Sequence, residues 1–520
     1  MTTSDATVPA TGSPEVSAVV GSVQWLLVVA VVSTAVLEVL DSTIVNIAIP
    51  HIESTFGATD DQITWVLTSY IVASVVVMPL TGYFTRRFGR RRVLLTAISG
   101  FAVMSMLCGL SWSLGVMVAF RMGQGMFGAF LIPLSQSILF GAFPKEKRGQ
   151  AMALFGLGVV VAPVLGPTIG AFLTDAFVWR MVFYVNVPIA ALAIVMLLGE
   201  LPPDRTEDVR TDWAGLILMA LSIGCLQYVL DTGERHDWFA SHAIQVAAIV
   251  SAVAGIVFAV RGVMRTDNIV DLTLFRDRSF TAANLTMMGF GISMYGTIAL
   301  LPIFVQGLLG YPILDAGYLF IPRGIAAGFS MVFTGAVLVG RFDPRALVVF
   351  GLLLTSGGSF MYAQLNLDAG FWDLAWPGVV SGLGMGLVFV PLSTVAFDKI
   401  EGHRQDEASG LYGVTRQIGS SIGIAVVSAM LVQRTAVHYA QFGEVVTPFS
   451  QLARDYLVPY GTAPTTAEGA AILAAQVSSQ ASMMGFIEVF TFVGWSGLAM
   501  LPLVLLMERP SADAKPRAGH

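Results

Sequence analysis

Glu38 and Asp41 stand three residues apart in VLEVLDSTIVNIAIP, residues 36–50, inside the first long apolar stretch of the chain. Three residues of helix put both carboxylates on one face. A carboxylate held away from water must be paired, protonated or wetted. The chemistry open to such an acid is proton exchange. Burial favours its neutral form and a nearby cation favours its charged form, so opposed pushes hold it where a proton can load and unload.

The partner at matching depth is Arg121, in the fourth apolar stretch. At 1.5 Å per residue from the outer ends of their stretches, Asp41 lies about 15 Å deep and Arg121 about 12 Å deep. Two readings of the pair stay open: a fixed tie between helices, or an acid alternating between a proton and its partner. Glu38, a turn deeper, is a second acid or a cation-attracting wall residue. Glu488, in MMGFIEVFTF, lies about two turns from the outer end of the last stretch. It is either wetted near the interface or a further coupling acid. Arg323 follows Pro322, and is expected to bond carbonyls that the proline frees. Arg416, in YGVTRQIGSS, is expected at a gate or helix contact about 12 Å from the cytoplasmic end. LFGLGVVVAPVLGPTIGAF (154–172) concentrates Pro163, Gly166, Pro167 and Gly170, which permit bending and close helix approach.

The chain lacks GxxxxGK[ST] and HExxH, which argues against ATP hydrolysis and a zinc hydrolase. Its six His are scattered, and no cofactor is expected beyond the proton itself. Cys108 and Cys225 both fall in apolar stretches and read as small buried residues rather than a disulfide.

These residues must be carried by membrane helices. Of 520 residues 55% are hydrophobic and only 12% charged, against about 25% charged in a soluble domain. Fourteen apolar stretches are long enough to span: 24–51, 62–84, 93–111, 113–139, 149–175, 180–201, 213–230, 241–263, 280–308, 314–340, 345–365, 375–398, 408–433 and 483–507. They far exceed barrel strands, so the fold class expected is an all-α membrane protein. With the N-terminus inside, 21 of the 28 Lys and Arg fall in cytoplasmic loops and the C-terminal tail. The exceptions are Arg180, Arg235, Arg434 and Arg454 outside, and Arg121, Arg323 and Arg416 within spans. That bias puts both termini in the cytoplasm.

IPLSQ at 132–136 recurs as VPLST at 390–394, and ALFG at 153–156 recurs as GLYG at 410–413, at nearly the same offset. The repeat maps spans 1–6 onto spans 9–14. The domain organisation expected is a cytoplasmic tail (1–23), a six-helix half (24–201), two inserted helices (202–265), a second six-helix half (266–507) and a cytoplasmic tail (508–520). Residues 434–482 form a long loop outside, in which AEGAAILAAQVSSQ could be a short helix. Parallel halves of this kind are a transporter architecture.

The motifs resemble those of the major facilitator superfamily, in particular its fourteen-span drug:proton antiporters of the EmrB/QacA type. LDSTIVNIAIP (40–50) is similar to the span-1 motif and carries its acid onto Asp41. RMGQGMFGAFLIP (121–133) is similar to the span-4 motif; it carries the arginine onto Arg121 and puts Gln124 among the substrate and gating positions. APVLGPTIGA (162–171) resembles the exporters' span-5 motif. WRMVFYVNVPIA (179–190), LDTGERHDWF (230–239) and VDLTLFRDRSF (270–280) resemble the EmrB branch. TGYFTRRFGRRR (81–92) matches the cytoplasmic loop motif at Gly82, Arg87, Gly89 and Arg90, but has Arg86 where the family has Asp. A charge relay is therefore not carried over to this loop, while its basic, inward-facing role is. Glu38 lies outside the family motif.

The resemblance implies a proton-coupled exporter of hydrophobic small-molecule drugs in the bacterial inner membrane, not an enzyme and not a nucleic-acid binder. Asp41 would take a proton from outside, break its Arg121 pair and shift the balance between inward- and outward-open states. The resemblance also implies a periplasmic, EmrA-like adaptor and an outer-membrane channel as partners, with the long outer loop as the contact. A dedicated exporter of one metabolite or antibiotic is the alternative, and a receptor without transport is the alternative of another class.

Overall fold

The computed structural model describes residues 25–201, 206–207, 209, 211–265 and 268–508. The expected N-terminal tail lies outside them, as do Arg205, Arg210, Arg509, Lys515 and Arg517. Among the described residues all regular structure is helical.

The N-terminal half comprises α1 (Trp25–Phe56), α2 (Asp61–Phe88), α3 (Arg90–Gly109), α4 (Leu114–Ala142), α5 (Arg148–Ala176) and α6 (Met181–Glu200). Two helices follow, α7 (Trp213–Thr232) and α8 (His242–Met264). The C-terminal half comprises α9 (Arg278–Leu308), α10 (Asp315–Leu338), α11 (Pro344–Tyr362), α12 (Phe371–Asp398), α13 (Gly402–Val445) and α14 (Ala467–Leu505). Thirteen of these are long and apolar enough to cross a membrane, and α5, at 29 residues, occupies the fifth expected position. Lipid offers the backbone no other partner, so each apolar stretch closes its own hydrogen bonds.

The same pairings recur in the two halves. α1 packs on α5 and α6, as α9 packs on α13 and α14. α4 packs on α2 and α3, as α12 packs on α10 and α11. The short sequence repeats thus sit in equivalent helices. The inserted pair packs mainly on itself, and α7 leans on α2 and α13. Only 22% of the most apolar window of α7 and of α8 is buried, so both are peripheral and face lipid.

The halves meet through α5 against α10 and α12, and through α13 against α2 and α4. Three helices depart locally from regular α geometry. α2 tightens into a narrow turn at Met78–Leu80, where Pro79 removes a backbone donor. α9 and α10 end in wide π turns at Ile303–Leu308 and Thr334–Leu338.

One expectation needs correction. Residues 434–482 are largely helix rather than loop. The helix within α13 runs unbroken for 41 residues, Gln405–Val445, which is about 60 Å and twice the hydrocarbon thickness. A short helix, Gln451–Leu457, caps the turn, and AEGAAILAAQVSSQ is continuous with α14 from Ala467. Polarity marks where lipid ends, but not where a helix ends: RTAVHYAQFGEV and AEGAAILAAQVSSQ are rich in good helix formers.

Candidate functional site: a buried charge cluster and a cytoplasmic clamp

α1 brings its acids into the N-terminal half because α5 lets it come close. A Cβ on Gly166 would stand 2.1 Å from Thr43 Oγ1, and one on Gly170 3.0 Å from Ile44. Both glycines of the expected Gly/Pro stretch therefore position α1. Pro163 and the backbone of Pro167 continue the same helix without interruption.

Asp41 has no solvent exposure. Arg121 Nη1 donates to its Oδ2 at 2.7 Å, while Gln124 Nε2 (2.9 Å) and Asn186 Nδ2 (2.6 Å) donate to its Oδ1. Arg121 is held in turn: its Nε donates to Val66 O at 3.1 Å, its Nη1 to Gln124 Oε1 at 2.7 Å, and its guanidinium lies 4.2 Å from the Tyr70 ring centre. Asn186 also donates to Ser105 Oγ at 3.0 Å, which donates to Phe183 O at 2.8 Å. A buried ion pair is tolerated when its remaining donors and acceptors are met in this way. One carboxylate ties three helices, α1, α4 and α6, and Asn186 extends the network to α3 through Ser105.

Asn186 and Ser105 belong to this network, and neither stood among the candidate residues read from the sequence. The signal was present: Asn186 is a lone amide in an apolar span, and a buried amide needs partners.

Glu38 lies one turn from Asp41 with 8% exposure. Arg416, 7% exposed, stands on α13 of the opposite half and acts on Glu38 through space. Arg323 is buried on α10 near Tyr362. It does not bond the carbonyls near Pro322 as expected; its Nη1 is buried without a partner.

Glu488 is not brought to this cluster. It accepts bonds from Arg434 Nε (3.1 Å) and His438 Nε2 (2.8 Å), where the long helices α13 and α14 pack on each other. Two apolar grooves open between helices elsewhere. One, of 660 Å³, runs between α9, α13 and α14; the other, of 550 Å³, between α5 and α10. Neither is lined by an acid or a base.

The basic loop motif forms a clamp between the halves. Gly89, with φ of 91°, makes the turn from α2 to α3 that only glycine adopts freely. Arg86 Nη1 lies 2.7 Å from Glu407 Oε2, and a Cβ on Gly82 would stand 2.4 Å from Glu407 Cβ. Arg90 grips Asp406 at 2.8 Å, which also accepts from Ser137 Oγ at 2.5 Å. Ser409 Oγ donates to Pro133 O at 2.9 Å. Arg87 turns the other way, to Tyr83 and to Thr211 ahead of α7, each at 2.7 Å. Glu407 further accepts from the Asp271 N–H, and Arg404 binds Asp271 at 2.5 Å. Outside the membrane, Asp271 has its carboxyl held below the usual range: its burial works against this, and the Thr273 bonds and Arg404 outweigh it. The polar bonds between the halves gather at the cytoplasmic ends, so this is an arrangement closed to the cytoplasm. α7 adds a bridge nearer the outside: Thr68 of α2 donates to Asp231, and Gln227 donates to Ser421 of α13 at 2.9 Å.

Comparison with known proteins agrees with this architecture. The family model of the Major Facilitator Superfamily matches residues 31–424. The chain is 35% identical to fatty acid resistance protein FarB of Neisseria gonorrhoeae, over 91% of this chain and 94% of that one. It is 35% identical to multidrug export protein EmrB of Escherichia coli K12, over 93% and 95%. Among solved structures, the human organic anion transporter MFSD10 superposes with a TM-score of 0.61 at 15% identity, over 92% of this chain and 99% of that one, which speaks to fold alone. With two pseudo-equivalent six-helix halves, a buried ion pair on α1 and α4 and a cytoplasmic clamp, the chain belongs to the Major Facilitator Superfamily: it is a multi-pass inner-membrane transporter and not an enzyme.

Proposed function

We propose that the protein is a proton-coupled antiporter that exports hydrophobic small-molecule drugs. The observation that carries this reading is the placement of two acids on α1 at membrane depth, one paired to Arg121 and one facing the other half. Ionisable groups at such depth mark ion or substrate pathways. The names of the similar proteins, multidrug export protein and fatty acid resistance protein, support export as the direction. The clamp supports alternating access, because its bonds must break for the cytoplasmic side to open.

The partners proposed are a periplasmic adaptor and an outer-membrane channel. The support is the helical extension of α13 and α14, which carries the chain well beyond the outer interface. A dedicated exporter of one amphiphile remains the second reading, favoured by the similarity to a fatty acid resistance protein. The test is uptake of ethidium and of a fluorescent fatty acid into inverted vesicles, with and without an imposed pH gradient. Gradient-dependent uptake of both supports a multidrug antiporter. Uptake of the fatty acid alone supports the second reading, and binding without uptake defeats both.

A further inference from the structure

Asp41 and Glu38 share a helix face but not an environment. Asp41 is sealed from water and receives three donors, one of them a guanidinium. Protonating it would leave Arg121 an uncompensated buried cation. Nothing in this set is free to accept the change.

Glu38 differs on every count. It keeps a residual exposure, and among the described residues no hydrogen bond reaches its carboxylate. The charged and titratable groups around it are Asp41 on α1, Tyr70 on α2 and Arg416 on α13. The Tyr70 hydroxyl is itself buried without a hydrogen-bond partner. Arg416 stands on the opposite half, and it too makes no hydrogen bond among the described residues. Nine residues separate Arg416 from Glu407, about 13 Å along one helix. The helix that faces Glu38 is therefore the helix that closes the cytoplasmic clamp.

We propose that Glu38, rather than Asp41, carries the coupled proton, and that Arg416 is its counter-charge on the opposite half. The step is a simple binding: one proton adds to a Glu38 carboxylate oxygen and leaves from it, with no other bond changed. Ionised Glu38 attracts Arg416 and holds α13 toward the N-terminal half. Protonated Glu38 does not, so the arrangement with the clamp closed loses an attraction that the open one never had. Protonation thereby shifts the balance between the two arrangements. Asp41, Arg121, Gln124 and Asn186 are positioning residues that fix α1 so that Glu38 faces Arg416. This use of the proton rests on the antiport reading, whereas the titration itself does not.

The test is infrared difference spectroscopy of the full-length protein in lipid bilayers, between acidic and alkaline buffer. The protonated-carboxyl band that rises on acidification should be lost in Glu38→Gln and kept in Asp41→Asn. Glu38→Asp should restore it at a shifted frequency. Arg416→Gln should move its midpoint to higher pH, because the stabilising cation is gone. A band that survives Glu38→Gln overturns the proposal, as does an unmoved midpoint in Arg416→Gln. Should Asp41→Asn fail to fold, the Glu38→Gln and Glu38→Asp spectra decide alone. If the band is assigned to Glu38 but the wild type shows no gradient-driven transport, the antiport reading fails and the titration assignment stands.

Discussion

A carboxylate that accepts from one guanidinium and two amides is held by geometry as much as by charge. Removing Arg121 leaves Asp41 buried and unpaired, so Arg121→Ala should destabilise the protein by about 3–5 kcal/mol, read as a fall in the detergent melting temperature. Asn186→Ala removes one neutral donor from a charged acceptor and should cost about 1–3 kcal/mol, while the Arg121 pair stays in place. An Asn186→Ala protein as stable as the wild type would remove the amide from the cluster. At this scale the sequence was partly legible. Depth counting along two spans paired Asp41 with Arg121, because a buried charge stands out against apolar neighbours. Ser105 and Asn186 did not stand out, since neutral polar residues in a span carry no such contrast.

At the scale of elements, the basic loop motif acts through what it reaches. Arg86 occupies the position where the family carries an acid, yet it finds one in Glu407 across the halves. The pair is a charge arrangement that can be tested by exchange. Glu407→Arg should place two like charges together, weaken the closed clamp and lower transport severalfold. Arg86→Glu combined with Glu407→Arg should restore most of it, measured by efflux from cells at equal expression. If the double variant transports no better than either single one, the pair does not act as a clamp. The neighbouring Asp271–Arg404 contact has a pH dependence of its own. Asp271 has a lowered folded-state pKa, so its contribution is fully present above the ordinary carboxylate value of 3.8 and is lost only as pH falls through the lower folded value. Between about pH 5 and 8, the range across which proteins are usually most stable, this contact should therefore not vary, and Arg404→Ala should lower the melting temperature by the same amount at both ends of that range. The loop's basic character was readable from sequence, but its partners were not. Asp406 and Glu407 sit some three hundred residues away, and only the fold brings them to the loop.

At the scale of the molecule, the two halves were legible because hydropathy and short repeats survive where exact contacts do not. ALFG and GLYG stand at the starts of α5 and α13, the equivalent helices that each pack on the first helix of their own half. The outer segment was misjudged for a physical reason: the end of the lipid-facing stretch was equated with the end of the helix. The long α13 instead spans the membrane, projects beyond it, and carries Glu407, Arg416, Arg434 and His438 along one rod. A motion at the cytoplasmic clamp is thus a motion of the outer protrusion. If that protrusion engages an adaptor, deleting its tip, residues 446–466, should leave transport in proteoliposomes intact and abolish drug resistance in cells. Equal loss in both assays would make the tip part of the transporter fold.

The function proposed has drug and proton moving in opposite directions through one protein. In proteoliposomes with the membrane potential clamped and a pH dye inside, an imposed ethidium gradient should drive protons against the ethidium flow. The signal should vanish in Glu38→Gln. Ethidium flux with no proton movement, or with protons moving in the same direction, would contradict it.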